Sequence, residues 1–399
     1  MAVATFLSRV VLKNYRSIAA CDVSLGPLTF LVGQNGAGKS NFLDALRFIA
    51  DSLRTSLDHA LRDRSGIKEV RRRSAGHPTH FTIGLEFRLP SGGAGRYTFR
   101  VGALEHGGYV VTAEECEVPG GSYRVESGKV VFSRGIAVAP PAAPDRLYLV
   151  NAAGLPEFRP AFDALSRMGF YNLNPQRMRE LQSPDPGDLL ARDGSNIASV
   201  IDQLSRNLPG VKEAVVEYLS KVVPGIEGVE AKTIGPMETL EFGQKMEGAG
   251  NPWKFLAASM SDGTLRALGV LVALFQSGGR VTVPLVGIEE PEVALHPAAS
   301  AVLRDCLRVA SDRTQILVTS HSPDLLDDRD IAPDSLLAVA ASAGTTKLGP
   351  LDETGRSVLK DHLYTPGELL RMNQLFPDLE AVRRAQKVQL ELFRDESQP

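Results

Sequence analysis

The segment Leu28–Ile49, LTFLVGQNGAGKSNFLDALRFI, decides the fold of this chain of 399 residues. Its first five residues are mostly apolar and predict a short, fully buried β-strand. A glycine-rich loop follows at once, and apolar residues then recur at helical spacing from Asn41 to Leu53. A strand, a glycine-rich loop and a helix in this order predict an α/β fold with an anion-binding site at the N-terminus of the helix.

The loop between this strand and this helix, Gly33–Ser40, matches the pattern G-x-x-x-x-G-K-[ST] of the phosphate-binding loop, or P-loop. Its glycines let backbone N–H groups fold around the β- and γ-phosphates, Lys39 adds a positive charge, and the Ser40 hydroxyl is a ligand for Mg²⁺. We therefore expect ATP and Mg²⁺ as cofactors. The predicted nucleotide contacts in this region are Gly33, Asn35, Gly36, Gly38, Lys39, Ser40 and Asn41.

The composition narrows the class of protein. Hydrophobic residues make up 43% of the chain and charged residues 23%, which is far from the composition of a disordered protein. No apolar run reaches the roughly 18 residues of a membrane-spanning helix, and the first residues carry charges where a signal peptide is apolar. We expect a cytoplasmic protein with no membrane partner. The formal net charge of −3 gives no basic footprint over the whole chain.

The cysteines point to neither a disulfide framework nor a metal site. Cys21, Cys116 and Cys306 are widely separated and show no C-x-x-C spacing. Reduced cysteines in the interior are the expected state in the cytoplasm.

Patterns of hydrophobicity divide the chain into four predicted segments. Residues 1–150 hold the P-loop and alternating β-rich stretches, residues 151–250 are mainly helical, residues 251–365 return to strand and helix alternation, and residues 366–399 form a helical tail. The predicted fold is an α/β core with a mixed or parallel sheet, interrupted by an antiparallel β subdomain and an inserted helical subdomain. No heptad repeat is long enough for a long coiled coil.

A second predicted strand, Val283–Ile288, ends in two adjacent carboxylates, Glu289 and Glu290. Open α/β sheets bind their ligands at the carboxyl ends of the strands. Because successive residues of a strand face opposite ways, one carboxylate can lie near Mg²⁺ while the other orients the water that attacks the γ-phosphate. The residues alone leave open which carboxylate does which.

Two further stretches fit a nucleotide site. The strand Gln315–Thr319 ends just before His321, whose imidazole suits a hydrogen-bonding sensor of the γ-phosphate. The stretch Ser259–Leu265, SMSDGTL, precedes an apolar helix, and its small polar residues favour an anion site at that helix N-terminus. A surface histidine and a well-capped helix are the ordinary alternatives, but the order of these stretches along the chain favours the functional interpretation.

Taken in chain order, GQNGAGKS, SMSDGT, VGIEEPE and TSHS resemble the Walker A, signature, Walker B and switch-histidine motifs of ABC ATPases. The opening FLSRVVLKNYRS and the run IEEPEVALHP are similar to the RecF, SMC and overcoming-lysogenization-defect (OLD) group of ATPases, and not to transporter subunits. The resemblance is strong over residues 5–58 and 250–330. It implies an ABC-type P-loop NTPase head without the long coiled coil of SMC proteins. About 78 residues follow His321, and we expect no C-terminal Toprim nuclease domain in them.

The resemblance also implies a head-to-tail homodimer in which the signature of one chain closes on ATP held by the P-loop of the other. In that arrangement Ser261 and Gly263 bind the γ-phosphate in trans. Glu289 supports the metal, Glu290 polarises the attacking water and His321 senses the γ-phosphate, and these three form the predicted catalytic set.

The predicted metal set is Ser40, Glu289 and Gln176, where Gln176 is the candidate for the Q-loop glutamine and Gln182 is the alternative. Two departures from the family pattern bear on turnover. Position 289 is Glu where most ABC proteins have Asp, which leaves the division of labour between Glu289 and Glu290 open. The signature reads SDGT instead of SGGQ, and Thr264 cannot make the contacts of a glutamine, so we expect slow turnover.

Two functions follow from the resemblance. The first is a DNA-associated ATPase in repair or in defence against mobile elements such as phages, with double-stranded DNA as a partner. The second is a regulatory switch that controls a separately encoded effector, a nuclease or a toxin. A basic cluster is the local support for DNA binding, with a solvated helix end as the alternative: Arg62, Arg64, Lys68, Arg71, Arg72 and Arg73. The acidic pair Asp328 and Asp330 lies in a polar loop, and we expect no nuclease metal site there.

Overall fold

The structure is a computed structural model that describes residues 5–74, 76, 78–89, 92–136, 138–277 and 282–387. This part of the chain forms two compact units. We call the described residues up to Met168, together with those from Arg329 onward, the P-loop unit, and Gly169–Asp328 the central unit. The four segments predicted from hydrophobicity remain a prediction, because a compact unit of packing can combine distant stretches of chain.

The strands of the described residues are named in chain order. They are β1 (Leu7–Tyr15), β2 (Ile18–Ser24), β3 (Leu28–Val32), β4 (His80–Arg88), β5 (Ala94–Ala103), β6 (Tyr109–Val118), β7 (Gly121–Glu126), β8 (Lys129–Arg134), β9 (Gly169–Tyr171), β10 (Ile226–Ile234), β11 (Met237–Gln244), β12 (Trp253–Leu256), β13 (Leu285–Glu289), β14 (Gln315–Ser320), β15 (Leu336–Ser342) and β16 (Thr345–Pro350).

The helices are named in the same way. They are α1 (Lys39–Arg54), α2 (Leu57–Arg62), α3 (Ile67–Val70), α4 (Tyr148–Ala152), α5 (Arg159–Ser166), α6 (Pro175–Arg179), α7 (Ile197–Asn207), α8 (Pro209–Val222), α9 (Asp262–Phe275), α10 (Ala299–Ser311), α11 (Glu353–Lys360), α12 (Pro366–Arg371) and α13 (Leu379–Lys387). The last two lie in the predicted helical tail, of which residues 388–399 fall outside the described residues.

The P-loop unit contains a sheet whose strands follow the order β8-β7-β6-β5-β4-β1-β2-β16-β15-β3. The pairs β15 with β3 and β16 with β2 are parallel, and the neighbours from β8 to β2 pair antiparallel. The sheet therefore has the mixed character and the antiparallel subdomain that the sequence predicts. Strands β2, β7 and β8 are additions that the sequence patterns did not reveal.

Aromatic packing fixes α1, the helix that follows the P-loop. Phe48 on α1 meets three aromatic residues of the sheet, Tyr15, Phe81 and Phe99, at ring-centroid distances of 6.2, 5.5 and 6.4 Å. Such ring pairs contribute about 0.5–1.5 kcal/mol each beyond the burial of their area. This aromatic core therefore fixes α1, and with it the position of the helix N-terminus beside the loop.

The central unit contains a parallel sheet of the order β14-β13-β9 and a small antiparallel sheet of the order β10-β11-β12. The pairing of β13 with β14 runs from Leu285 opposite Gln315 to Glu289 opposite Thr319. Since parallel strands end at the same edge of a sheet, the residues that follow β13 and β14 are neighbours.

The hairpin β10–β11 lies in the segment that the sequence predicts to be mainly helical. Four of its apolar side chains, Ile226, Val229, Leu240 and Phe242, are buried, whereas Ile234 is exposed and most of the other residues are charged or polar. The single buried face is too sparse to stand out as an alternating pattern, which explains why the hairpin was missed.

Within the described residues, no helix has both the length and the apolar character that a bilayer crossing requires. The three cysteines are buried and form no disulfide, in agreement with their spacing in the sequence.

A buried carboxylate ties α4 to the antiparallel strands. Glu114 on β6 is fully buried, and its oxygens accept hydrogen bonds from the backbone N–H groups of Tyr148 and Leu149 at 2.5 and 2.8 Å. The hydroxyls of Tyr123 and Tyr97 donate to the same carboxylate at 2.8 and 3.2 Å. Desolvation raises the pKa of Glu114 from 4.5 to about 7, although these four hydrogen bonds oppose the shift.

This raised pKa predicts a pH-dependent stability. The folded chain binds the Glu114 proton more tightly than the unfolded chain between pH 4.5 and about 7, so the free energy of unfolding falls as the pH rises through that window. The expected loss from this group is about 3 kcal/mol. Denaturant unfolding at pH 5 and pH 8 should show that loss in the wild type and not in Glu114→Gln, which cannot titrate.

Glu105→Gln is the matched control, because Glu105 is an exposed carboxylate in a turn. It should keep the pH dependence of the wild type. An unchanged pH dependence in Glu114→Gln would show that another group causes it.

Candidate functional site

The glycines of the P-loop are required by the backbone around them. A Cβ at position 33 would lie 2.0 Å from the carbonyl oxygen of Val339, and a Cβ at position 38 would lie 2.1 Å from Thr346 Oγ1. Gly38 also has φ of 105°, in the left-handed region that favours glycine. The loop therefore packs so closely on β15 and β16 that any side chain at these two positions would displace it.

The side chain of Lys39 lies within the loop. It is 5% exposed, and its Nζ donates hydrogen bonds to the carbonyl oxygens of Gly33 at 2.7 Å and of Gln34 at 3.0 Å. The next residue, Ser40, lies on the first turn of α1 and is exposed. Asn35 and Gly36, at the turn of the loop, are also exposed. A buried ammonium beside a helix N-terminus is the environment that binds phosphate oxygens.

A chain of hydrogen bonds through Ser17 and Thr346 holds the P-loop in place. The Asn41 amide donates to Ser17 Oγ at 2.6 Å, Ser17 Oγ lies 2.7 Å from Thr346 Oγ1, and Thr346 Oγ1 donates to the carbonyl oxygen of Ala37 at 2.8 Å. Asn41 thus positions the loop through Ser17, and its role as a nucleotide contact remains a prediction. Sequence reasoning missed Ser17 and Thr346, because Thr346 is distant in the sequence and no local pattern marks it.

In the central unit, the two adjacent carboxylates, Glu289 and Glu290, contact different partners. Glu289 is the last residue of β13, whereas Glu290 has φ of 46°, a left-handed conformation. Glu289 Oε1 accepts a hydrogen bond from the Arg192 guanidinium at 3.1 Å. Glu290 Oε1 lies 3.1 Å from His321 Nδ1, which follows β14. The turn at Glu290 therefore gives the two adjacent acids different chemical surroundings.

The pairing of Glu290 with His321 brings two predicted catalytic residues together. Both side chains are about one-third exposed, at 35% and 37%. The backbone N–H of Glu290 donates to the carbonyl oxygen of Thr319 at 3.0 Å, which holds the turn against the end of β14. A carboxylate and an imidazole this close together can both contact the same reacting group.

A third acid supports this pair. Glu292 is 9% exposed, and its Oε1 accepts a hydrogen bond from Ser320 Oγ at 2.6 Å, one residue before His321. Its Oε2 is buried without a hydrogen-bond partner among the described residues. Desolvation, the largest cause, raises the pKa of Glu292. Glu292 had no predicted role, although the run IEEPE contains it as a third carboxylate two residues after Glu290.

The signature stretch forms the start of α9. Ser261 caps the helix: its Oγ accepts the Thr264 N–H at 3.1 Å and lies 2.9 Å from Thr264 Oγ1. A Cβ at Gly263 would lie 2.5 Å from the carbonyl oxygen of Ala294, in the loop that follows the acid pair. Glycine at position 263 is thus explained by close packing, and the predicted contacts of Ser261 and Gly263 with a partner's nucleotide remain a prediction.

An arginine of α9 connects the signature helix to the acid pair. The Arg266 guanidinium donates to the carbonyl oxygens of Glu290 at 3.2 Å and Glu289 at 3.4 Å, and to that of Leu173 at 3.1 Å. Burial lowers the pKa of Arg266. Sequence reasoning missed both Arg266 and Arg192. The signal for Arg266 was available, since it is the one cation in the apolar helix LRALGVLVALF.

The structure distinguishes the two candidate glutamines. Gln182 is 3% exposed, and its side chain donates to the carbonyl oxygen of Met178 and accepts the N–H of Ala198. Gln176 is exposed on α6, just after β9. The amide of Gln182 is therefore committed to internal hydrogen bonds, and Gln176 remains the candidate metal contact.

Three of the six cations in the predicted basic cluster are not freely exposed. Arg64 is 4% exposed and pairs with Asp44 and Asp51 at 3.0 and 2.9 Å. Arg71 donates to the carbonyl oxygen of Pro78, and Arg72 donates to Thr345 Oγ1. A count of cations could not separate buried from solvated ones. The exposed members are Arg62, Lys68 and Arg73.

Asp328, the first acid of the pair Asp328 and Asp330, is held by two arginines of α10. Its Oδ2 lies 3.3 Å from Arg304 Nε and 3.2 Å from the Arg308 guanidinium. In the described part of the chain, no group of three or more His, Cys, Asp or Glu side chains could hold a metal ion. For a Mg²⁺ ion bound together with a nucleotide, the exposed Ser40 hydroxyl beside Lys39 is a fitting protein ligand.

A protein-family model described as "AAA domain, putative AbiEii toxin, Type IV TA system" matches residues 28–115 and 139–327. An OLD nuclease of Thermus scotoductus is 25% identical over 343 residues, which cover 80% of this chain and 60% of the nuclease. A DNA replication and repair protein RecF of Gloeobacter violaceus is 38% identical over 102 residues, 24% of this chain and 26% of RecF. This chain thus spans less than two thirds of the length of either relative.

The solved structures that match are heads of Smc proteins. An Smc head domain with an extended coiled coil, bound to the C-terminal domain of ScpA and derived from Pyrococcus furiosus, matches with a TM-score of 0.57 at 12% identity. The match covers 90% of this chain and 99% of that one. A second Smc head, bound to the C-winged helix domain of ScpA, gives 0.55 at 15% identity and covers 88% and 99% of the two chains. These likenesses confirm the predicted α/β head fold. The family match and the RecF and OLD relatives confirm the predicted resemblance to ATPases of the RecF, SMC and OLD group.

Proposed function

Because this chain belongs to the AAA_21 family of AAA domains, we propose that it binds and hydrolyses ATP at composite sites of a nucleotide-gated homodimer. The observation that carries the proposal is the P-loop itself. Its glycines at positions 33 and 38 pack where a side chain could not fit, and the Lys39 ammonium lies inside the loop. We would not expect a glycine-rich turn without a phosphate ligand to bury a lysine, because burying a charge is costly.

The proposal gives each polar group one task. Lys39 and the N–H groups of the loop hold the β- and γ-phosphates, and Ser40 with Glu289 holds Mg²⁺. When bound, Mg²⁺ neutralises charge on the phosphate oxygens. Glu290 orients the attacking water as a base, and His321, in contact with it, donates a hydrogen bond to the γ-phosphate.

Two arginines extend this assignment. Arg192 pairs with Glu289, so its guanidinium competes with Mg²⁺ for that carboxylate. Arg266 holds the backbone carbonyl groups of Glu289 and Glu290 against the signature helix α9. A movement of α9 caused by a partner chain closing on it would therefore be transmitted by Arg266 to the acid pair of the same chain. The Glu289 pairing and the SDGT signature both favour slow turnover.

The test of the composite site is Ser261→Arg. This change should block hydrolysis and leave ATP binding intact, because a bulky cation at the start of α9 prevents the partner's site from closing. Mixing inactive Ser261→Arg with inactive Lys39→Ala should restore activity, since both lesions of a heterodimer fall on one site and the other is whole. Random mixing predicts about a quarter of the wild-type rate, because half of the dimers are mixed and each has one intact site.

Ser183→Arg is the matched control, since Ser183 is an exposed serine of the same unit. It should leave the rate of hydrolysis unchanged. Heterodimers that form and stay inactive would contradict independent composite sites, and normal hydrolysis by Ser261→Arg would exclude the dimer altogether.

The biological task that we propose is action on double-stranded DNA, in repair or in defence against phages. The similarity to the RecF proteins and to an OLD nuclease supports it. Gel shifts of a DNA duplex at two salt concentrations, without nucleotide, with ADP and with ATP, test this task. Binding that weakens with salt is expected, because phosphate contacts release counterions. The absence of salt-sensitive binding in every nucleotide state would exclude it.

The second candidate is a regulatory switch that holds or releases a separately encoded nuclease or toxin. The description of the matching family, which names a toxin of a toxin–antitoxin system, favours it. Co-purification of the native protein from its own host, with and without ATP, would show a stoichiometric partner if this candidate is right.

A further inference from the structure

The loop that follows β13 carries a buried acid, Glu292, to which the proposed mechanism gives no task. Its side chain is 9% exposed, and its Oε1 accepts a hydrogen bond from the Ser320 hydroxyl at 2.6 Å. Within the described residues, its Oε2 is buried and has no hydrogen-bond partner. An apolar side chain of similar size would fill this space at a lower cost in free energy, because burying an unsatisfied polar atom is unfavourable. Packing alone therefore does not explain an acid at this position.

The backbone around Glu292 is tightly turned. Two residues with left-handed conformations flank it, Glu290 with φ of 46° and Ala294 with φ of 65°. The Val293 N–H donates to the carbonyl oxygen of Glu290 at 3.1 Å, and the Leu295 N–H donates to that of Glu292 at 3.0 Å. The carboxyl group is therefore presented to Ser320 from a constrained loop.

Ser320, the partner of Glu292, is the last residue of β14 and is fully buried. Its hydroxyl donates to Glu292 and accepts the backbone N–H of Ser322 at 3.0 Å. Ser320 and Ser322 are the two neighbours of His321 in the chain. One hydroxyl thus connects Glu292 to the backbone on both sides of His321.

The His321 side chain has few contacts of its own that could fix its orientation. Its Nδ1 lies 3.1 Å from Glu290 Oε1, but it forms no hydrogen bond with any residue that the structure describes. The ring therefore depends on the backbone that carries it, and Glu292 holds that backbone through Ser320. The side chains of Glu292 and His321 also interact electrostatically: burial, the largest cause, raises the pKa of Glu292, whereas the His321 charge lowers it.

We propose that Glu292 is a positioning residue of the nucleotide site, which acts through Ser320 to hold His321 where its imidazole meets the γ-phosphate. This inference rests on the proposed ATP hydrolysis and adds to it a residue that does not itself contact the nucleotide. Loss of the contact between Glu292 and Ser320 should slow hydrolysis and leave ATP binding intact, because the P-loop holds the nucleotide independently of His321.

The first test is Glu292→Met, which keeps the length of the side chain and removes the acceptor for Ser320. Its kcat should fall at least about tenfold with KM unchanged, since a hydrogen bond to a charged group is lost. Glu292→Gln retains an acceptor oxygen and should stay close to the wild type. Glu213→Met, which replaces an exposed glutamate on α8 of the same unit, is the matched control and should change nothing. Ser320→Ala removes the same hydrogen bond from its other end and is the second variant, in case Glu292→Met does not fold.

A double-mutant cycle separates positioning of His321 from a general structural role. In a His321→Ala background, Glu292→Met should cause no further loss of kcat, because the group on which Glu292 acts is already absent. A structural defect that is independent of His321 would instead add to the loss. Additive losses, or equal losses in Glu292→Gln and Glu292→Met, would overturn the proposal.

A measurement without ATP distinguishes a failure of this inference from a failure of the proposed function. Isotope labelling makes the ring nitrogens of the seven histidines visible by NMR, and the signals of His321 are those that His321→Ala lacks. Glu292→Met should shift these signals in the nucleotide-free chain, while Glu292→Gln and Glu213→Met should leave them in place. Unshifted signals in Glu292→Met would overturn the positioning even in a chain that hydrolyses ATP. Shifted signals in a chain that hydrolyses no ATP would support the positioning and contradict the proposed function alone.

Discussion

Lys39→Ala should lose tight ATP binding, with an affinity that falls about a hundredfold or more. The Lys39 ammonium lies inside the loop on the carbonyl oxygens of Gly33 and Gln34, where it would meet the β- and γ-phosphates. Removing one charged partner of a buried hydrogen-bond network costs about 3 kcal/mol, which corresponds to that change in affinity. Equilibrium binding of a fluorescent ATP analogue measures it.

Lys68→Ala is the matched control, because Lys68 is an exposed lysine on α3 of the same unit. It should bind ATP like the wild type. The loop must also keep its shape for the result to count, and the close contacts of Gly33 with Val339 and of Gly38 with Thr346 should preserve it. Near-normal ATP affinity in a folded Lys39→Ala protein would contradict the assignment of the P-loop.

The elements around the P-loop could be predicted from sequence because their signals are local. Strand β3 has the predicted bounds, Leu28–Val32, and α1 begins two residues before the predicted helical pattern. The loop between them is constrained by its own glycines. The same reasoning did not find the contacts below the loop, since Thr346 and Val339 come from β16 and β15, some 300 residues later.

Charged residues show where sequence reasoning ends. Arg64 and Lys68 look alike in a basic cluster, yet one is buried on Asp44 and Asp51 and the other is exposed. Only packing decides between them. Arg192 was missed for the same reason, because its importance arises from the Glu289 carboxylate that tertiary structure brings to it. Arg266 differs, since as the one cation of an apolar helix it did leave a signal in the sequence.

For the strand-end acids Glu289 and Glu290, their position could be predicted from the sequence but their conformation could not. Their presence at the end of an apolar strand was predictable from the sequence, and so was the strand that precedes His321. The left-handed turn at Glu290, which separates the two carboxylates, was not predictable, because Glu rarely adopts that conformation. This turn places Glu290 on His321 and leaves Glu289 with Arg192, which gives the assignment of Glu290 as the base a physical reason.

Glu290→Gln should bind ATP normally and hydrolyse it about 10²–10⁴-fold more slowly, the range by which a general base contributes. The amide keeps the size of the side chain and its contact with His321, but it cannot accept a proton from the attacking water. Because ATP then persists, the chain should accumulate as a dimer. Single-turnover hydrolysis and mass measurement in solution, each with and without ATP, report the two effects.

Glu289→Gln is the comparison that separates the two acids. It should weaken the support of Mg²⁺ and free Arg192, so its defect should shrink as the Mg²⁺ concentration rises, whereas the defect of Glu290→Gln should not. If Glu289→Gln yields the ATP-bound, inactive dimer while Glu290→Gln remains active, the roles of the carboxylates are reversed. The contact between Glu290 and His321 would then be structural, and the base would be the residue paired with Arg192.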